Sequence, residues 1–346
     1  MTQGTMTQGT MTPGTMTQGT SQEFEAQLGA LRAELVAHCY RMTGSAHEAE
    51  DLVQETYLRA WRAYRGFEGR ASLRTWLYRI ATNVCLTAVQ RRARRPLPAG
   101  LGPPSADHLG PAGIQALDVP WLEPIATSRA DSADPAAVAA SRAGLRLALI
   151  AGLQYLSARQ RAVLILRDVL EWPAAETAQV LGTTTTAVHS MLRRARDQLS
   201  RVMPAEDRLT EPGDPGQREL LHRYAAAFEH ADHATLVSLL THDATLEMPP
   251  QPAWYAGAAS AGRFLAAHVL TSPGRFRLVA AEANGQPAFA TYQREPDGYH
   301  AHALQVLTVT GDRVARVVIF LDPSLFPAFG LPGTHGGAGI GPGPGE

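Results

Sequence analysis

The chain has 346 residues, 45% hydrophobic and 18% charged, a globular balance that excludes general disorder and, at about 150 residues per domain, suggests two or three domains. Its formal net charge is −1, which taken as one number speaks against a polyanion binder. The longest mostly apolar stretch, Leu145 to Leu153, carries Arg146 and falls short of the roughly 18 to 20 residues of a membrane helix.

Residues 1–22 form a tail in which the pentapeptide begun at Met1 recurs from Met6, Met11 and Met16, with Pro13 replacing a glutamine. Uncharged and with almost nothing to bury, this segment is expected to be a disordered tail without a secretory signal. Residues 23–95 follow as a helical unit. Ala49, Leu52, Tyr57, Ala60 and Tyr64 share one helical face, and Leu73, Trp76, Leu77, Ile80 and Val84 another. Gly44-Ser45 and Gly66 to Gly69 supply the breaks, and Trp61 and Trp76 are read as core. Cys39 and Cys85 fit neither a disulfide framework nor a zinc site, so buried, reduced thiols and a cytoplasmic protein are expected. A Pro-rich linker spans 96–138.

A second helical unit covers 139–203. Trp172 to Leu199 has the form of a helix-turn-helix: Pro173 suits a first turn, Gly182 the tight turn, and Thr183 or Thr184 an N-cap. In the second helix Val188, Leu192, Ala195 and Leu199 form an inward stripe. Thr185, His189, Arg193 and Arg196 line another face, where short polar side chains followed by arginines suit a recognition helix in a major groove. A break at 204–216 leads to an α+β unit, 217–332, then a Gly/Pro-rich tail, 333–346, expected to be disordered. In the α+β unit, helices are expected over Glu219–His230 and Ala234–Leu240. Strands are expected over Phe276–Ala281, Ala288–Gln293, His300–Val309 and Arg313–Leu321, with Gly285-Gln286 and Gly311-Asp312 at two of the turns.

The charge is divided along this plan. Residues 21–95 carry a net +4 and 156–203 a net +3, against −2 for 96–155 and −6 for 204–346. The near-zero total is a cancellation, and an acidic C-terminal unit could compete for the basic surfaces. All 31 basic residues are arginine.

Two separated segments resemble one family. Leu156 to Leu170 with the helix-turn-helix is similar to region 4 of sigma-70-type factors. His47 to Trp61 and Ser72 to Asn83 are similar to region 2. Their order and spacing match the extracytoplasmic-function (ECF) group. The resemblance implies two all-α sigma domains, joined by the Pro-rich linker, that bind core RNA polymerase and promoter DNA. The polymerase face would comprise Asp51, Gln54, Glu55 and Arg59. The −10 element would meet Arg79, Asn83, Leu86 and Gln90, with Arg79 and Asn83 on bases and Arg91, Arg92, Arg94 and Arg95 on phosphates. The −35 element would meet Thr184, Thr185, His189, Arg193 and Arg196. Val119 to Pro124 resembles a tryptophan motif of ECF factors with an added C-terminal domain, which makes Trp121 an expected regulatory contact.

Residues 217–330 more loosely resemble the SnoaL-like group of the NTF2-like cone fold, on Arg223 to Phe228, Leu239 to Leu246, Trp254 to Gly257 and Phe320 to Pro323. The whole then resembles the sigma-G-like branch, whose extra domain stands in for an anti-sigma factor. Asp243, Glu247, His268, Tyr292, His300 and His302 could serve a cone enzyme, but no spacing fixes a dyad, and Asp243 equally suits pinning a helix–strand turn. The expectation is a non-enzymatic regulatory module without metal or cofactor, leaving open a small-molecule ligand inside it. Alternatives are a helix-turn-helix regulator, or a DNA-binding module fused to an isomerase-like domain. A regulator without polymerase has no use for Asp51-Leu-Val-Gln-Glu55.

Overall fold

The computed structural model describes residues 24–67, 69, 71–90, 93–107, 119–127, 144–202 and 215–336. The repeat tail, Arg91 and Arg92, the rest of the linker, 203–214 and the C-terminal tail from 337 lie outside the described residues.

Region 2 is built on α1 (Arg32–Thr43), α2 (Ala46–Ala63) and α3 (Leu73–Val89). α1 stops at Gly44, whose φ of +73° is open to glycine. Ser45 then caps α2 by accepting from the Glu48 N–H at 3.1 Å, and Ser72 caps α3 through Thr75 at 3.1 Å. Leu35, Tyr40, Met42, Val53, Leu77 and Ala81 are fully buried between them.

Region 4 comprises α4 (Leu147–Leu153), α5 (Ala158–Leu164), α6 (Ala174–Leu181) and α7 (Thr185–Val202). A reciprocal Ser157–Gln160 capping box opens α5. Gly182, at φ +58°, makes the turn, and of the two threonines offered as caps it is Thr184 that accepts from Ala187 N–H, at 3.2 Å.

Regions 2 and 4 pack directly on each other. The Trp172 ring lies 5.3 Å from that of Tyr78. Arg161, 3% exposed, donates to the Met42 carbonyl, and Arg41 donates from Nε to Gly144 O at 2.8 Å. Burial lowers both guanidinium pKa values to about 10.

In the C-terminal unit α8 (Pro215–Glu229) and α9 (His233–Ser238) precede a curved sheet. Its strands are β1 (Leu240–Glu247), β2 (Trp254–Ala256), β3 (Phe276–Ala283), β4 (Gln286–Glu295), β5 (Gly298–Thr310), β6 (Arg313–Phe320) and β7 (Thr334–His335). Their order is β2-β1-β6-β5-β4-β3, with β7 on β5, and only the β1–β6 pairing is parallel. The strands expected from Phe276 onward are all present. β1, β2 and β7 were not foreseen: Leu240 belongs to β1 rather than to the preceding helix, and Thr334–His335, expected within a disordered tail, pair with Tyr299 and His300 of β5. The residue that caps α9 is Asp232, accepting from Thr235 N–H at 3.0 Å; Asp243 lies exposed within β1 and not at a helix start.

Alternation gives this sheet two buried faces. Phe289, Ala303, Leu307, Val317 and Ile319 face the cone, with Tyr224 and Phe228 of α8. Ala288, Ala290, Tyr292, Leu304, Val306, Val318 and Phe320 face the other way. They belong to an apolar cluster that continues through Leu122, Leu145 and Leu147 into regions 2 and 4. The second buried face joins the C-terminal domain to the two helical units.

The core of region 2 holds a titratable group. His38 is fully buried, its Nε2 3.0 Å from Thr82 Oγ1, and burial, with Arg41 adding, lowers its pKa from 6.5 to about 3. The unfolded chain takes up this proton near pH 6.5 and the folded chain does not. Stability present above pH 6.5 is therefore lost as pH falls toward 3, by about 1.4 kcal/mol per unit. Thermal melts of His38→Gln between pH 7 and 4.5 should show a shallower decline than wild type; an identical slope would contradict this.

Candidate nucleic-acid interface

α7 rests on α5 and α6 through buried Val188, Leu192 and Ala195, with Leu199 half-buried. Thr184, Thr185, His189, Arg193 and Arg196 are all exposed. Two of the five have local tasks. Thr184 caps the helix, and Arg196 grips Asp168 with both prongs at 2.8 and 2.7 Å, a hydrogen-bonded pairing that raises its pKa. Thr185, His189 and Arg193 remain as the outward face of the helix.

On α3, Arg79 and Asn83 are exposed, whereas Leu86 is only 8% exposed and belongs to the core. The regular spacing of Arg79, Asn83, Leu86 and Gln90 is therefore not one continuous surface. Gln90, Arg94 and Arg95 line a cleft of about 290 Å³ between regions 2 and 4, with Glu48, Ser157 and Arg161. Arg94 lies over the Tyr155 ring at 4.3 Å and donates to Gly100 O at 2.9 Å. Arg95 is turned inward, 3.2 Å from Glu48 and 3.7 Å from Glu123, and burial lowers its pKa.

The polar face of α2 carries Asp51, Gln54, Glu55 and Arg59, the last two paired at 2.7 Å. It also shows Leu58, 54% exposed, and Trp61, 46% exposed. The expectation that Trp61 is core is corrected, because Phe24 and Tyr64, stacked at 3.8 Å, fill that position and leave Trp61 packed on one side only. Trp76 is half-buried, 4.9 Å from Phe67. Leu58, one helical turn after Gln54 on an otherwise polar face, was a signal that periodicity could have used.

The linker and the C-terminal domain meet both helical regions at one clasp. Trp121 is half-buried; it offers its carbonyl to Arg95 at 3.1 Å, while its indole N–H has no hydrogen-bond partner among the described residues. The neighbours of Trp121 make the contacts. Leu122 is fully buried. Glu123 accepts from Ser45 Oγ at 2.8 Å and from His47 N–H at 3.2 Å, at the N-terminus of α2. Its carbonyl accepts from Tyr40 Oη at 2.8 Å.

Asn284, fully buried in the β3–β4 turn, holds three segments. Its Nδ2 donates to Tyr40 Oη at 2.7 Å and to Leu145 O at 2.8 Å. Its Oδ1 accepts from Ile125 N–H at 3.1 Å, and its own N–H returns a bond to Ile125 O at 2.9 Å. Burial raises the Tyr40 pKa, which keeps the phenol a donor. Beside it, Gln286 Oε1 accepts from Leu147 N–H at 2.8 Å. The sequence marked this stretch only as a turn. Asn284 and Gly285 have φ of +56° and +65°, as an Asn-Gly hairpin requires, so the role of the Asn284 side chain was hidden behind its backbone role.

Of the groups offered for cone chemistry, Asp243 is exposed on β1 and the others have local partners. Glu247 pairs with Arg316, and His300 Nε2 lies 2.8 Å from Asp297. Tyr292 donates to Pro332 O at 3.0 Å, and the rings of His268 and His302 pack on Phe264 and Phe276. Inside the cone Tyr224 bonds Gln305, which bonds Thr291, at 2.8 and 2.9 Å.

Family models match in three places: Sigma-70 region 2 over residues 29–95, Sigma-70 region 4 over 146–199, and the SnoaL-like domain over 221–317. The ECF RNA polymerase sigma factor SigG of Mycobacterium tuberculosis is 54% identical over 90% of this chain and 84% of its own. The chain belongs to the ECF sigma factors. SigJ of the same organism is 30% identical over 88% of this chain and 92% of its own. Its crystal structure superposes with a TM-score of 0.58 at 26% identity, covering 89% of this chain and 99% of that one. This chain therefore carries two helical sigma domains followed by a SnoaL-like domain. As a sigma factor the chain has core RNA polymerase and promoter DNA as partners. Among the described residues no helix is long and apolar enough to cross a membrane.

Proposed function

We propose that this arrangement is the closed, resting form of a cytoplasmic sigma factor, and that its SnoaL-like domain holds regions 2 and 4 together as an inhibitory module without catalysis of its own. The observation that carries the reading is Asn284, one side chain bonded to region 2, the linker and the start of region 4. In this form the exposed Arg94 is stacked on the Tyr155 ring and bonded to Gly100 O, so a −10 phosphate must compete with those two contacts. The polymerase binds the face of Asp51, Gln54, Glu55 and Arg59, with Leu58 as an apolar anchor at its centre. Arg79 and Asn83 meet the −10 bases, Gln90, Arg91, Arg92 and Arg94 its phosphates. Trp121 serves this regulation through its backbone and through the placement of Leu122 and Glu123. The engagement of Glu247, Tyr292 and His300 in pairs supports a regulatory rather than an isomerase role.

At the −35 element Thr185, His189 and Arg193 read the groove, while Thr184 sets the helix start and Arg196 is anchored by Asp168. Arg193→Ala should weaken binding to a −35 duplex by about 1–3 kcal/mol, measured by fluorescence anisotropy against an unrelated duplex. Equal loss on both duplexes would mean a phosphate contact and overturn the assignment of Arg193 as a base reader.

A further inference from the structure

A second attachment, separate from the Asn284 turn, ties the first half of the linker to the C-terminal sheet. Glu247, the last residue of β1, has a fully buried side chain. A carboxylate is tolerated there only if its oxygens are bonded. Oε1 takes Arg316 of the adjacent strand β6, whose Nε lies 2.8 Å away. Oε2 takes the backbone N–H of Ala99 at 2.9 Å. Ala99 lies in the short 3₁₀ turn Pro98–Gly100, whose first N–H groups have no partner within the turn, so Glu247 supplies an acceptor the linker lacks. On the neighbouring strand β2, Trp254 donates from Nε1 to Gly102 O at 2.9 Å, and its carbonyl accepts from Ser105 N–H at 2.7 Å. From the other side Arg94 holds Gly100 O at 2.9 Å.

We propose that the β1–β2 edge of the SnoaL-like domain is a peptide-binding surface for residues 99–105 of its own chain, with Glu247 as the latch, and that this latch keeps the end of region 2 from promoter DNA. A position that could hold a general base in a cone enzyme here recognises backbone. The physical link is short: Arg94 and the pinned Ala99 are five residues apart, so Arg94 cannot move far while Ala99 and Gly102 are fixed to the sheet. The proposal rests on the sigma-factor reading and adds a site that the Asn284 clasp does not include.

The test uses the full-length chain. Glu247→Ala should accelerate hydrogen exchange of the Ala99 and Ser105 amides at least tenfold, leave the amide of Asn284 unchanged, and raise run-off transcription with core polymerase severalfold. Glu247→Gln, which keeps an acceptor for Ala99 but loses the ion pair with Arg316, should fall between the two. Trp254→Phe keeps the ring and removes the donor to Gly102, so it tests the same edge if Glu247→Ala does not fold; it should shift both readouts in the same direction. Faster exchange without more transcription, or unchanged exchange, overturns the latch. Binding of wild type to core polymerase is measured separately: its absence would overturn the sigma-factor reading itself, whereas binding with unchanged exchange in the variants would overturn the latch alone.

Discussion

Replacing Asn284 by glycine is expected to open the molecule and raise its transcription activity. Glycine keeps the φ of +56° that this turn requires, so the variant isolates the side chain; alanine would add backbone strain of its own. Three hydrogen bonds are lost, to Tyr40 Oη, Leu145 O and Ile125 N–H. The backbone bond from residue 284 to Ile125 O remains. Leu145 O and Ile125 N–H lose a partner at a buried junction, at about 1–3 kcal/mol each. A loss of about 2–6 kcal/mol shifts an open–closed equilibrium by more than tenfold. Small-angle scattering should report a larger radius of gyration, and protease should cut 119–127 faster. Wild-type values for both, with unchanged run-off transcription, would mean that the clasp does not set the closed state.

Removing residues 215–346 should have a larger effect on the same equilibrium. The truncated chain loses both attachments at once, the Asn284 clasp and the Glu247 edge. It also uncovers the side of Leu122, Leu145 and Leu147 that shares a cluster with Ala283, Ala288 and Ala290. Each leucine fully uncovered costs about 1.5–3 kcal/mol, so the sigma piece should melt earlier and be less soluble than the full chain. Its run-off transcription per active molecule should exceed that of the full chain, titrated by core-polymerase binding. A fall in activity, or none of either sign, would reverse the inhibitory assignment. The two experiments separate contributions, because Asn284→Gly leaves the apolar surface covered.

The helices were legible because their causes are local. Ser45 and Ser72 precede their helices as caps, Gly44 and Gly182 stop theirs, and the stripe of Val188, Leu192 and Ala195 repeats at helical spacing. Strands β3 to β6 were legible for a similar reason, since Gly285-Gln286 and Gly311-Asp312 mark two of their turns, the first one residue past the Asn284-Gly285 turn that forms. β1 was not, because Leu239 and Leu240 continue the apolar rhythm of α9, and what makes Leu240–Glu247 a strand is parallel pairing with β6, far along the chain. At the recognition helix the exposed set was read correctly by residue, but not the local duties of Thr184 and Arg196. At the linker Trp121 is the largest side chain, yet Leu122 and Glu123 carry the side-chain contacts.

By itself, the sequence determined the family, the order of the three domains, the helix-turn-helix and the division of charge into basic and acidic blocks. Each is written in neighbouring residues or in composition. The tertiary structure alone decided how the domains hold one another. The expected rivalry of an acidic domain for basic surfaces is not what the clasp uses: its bonds between the C-terminal domain and the rest run through neutral groups, Asn284 and Gln286 to Tyr40, Ile125, Leu145 and Leu147. Tyr40 and Asn284 stand 244 residues apart. A neutral side chain that bonds a distant backbone leaves no periodicity and no charge for the sequence to display, so only folding brings its partner into view.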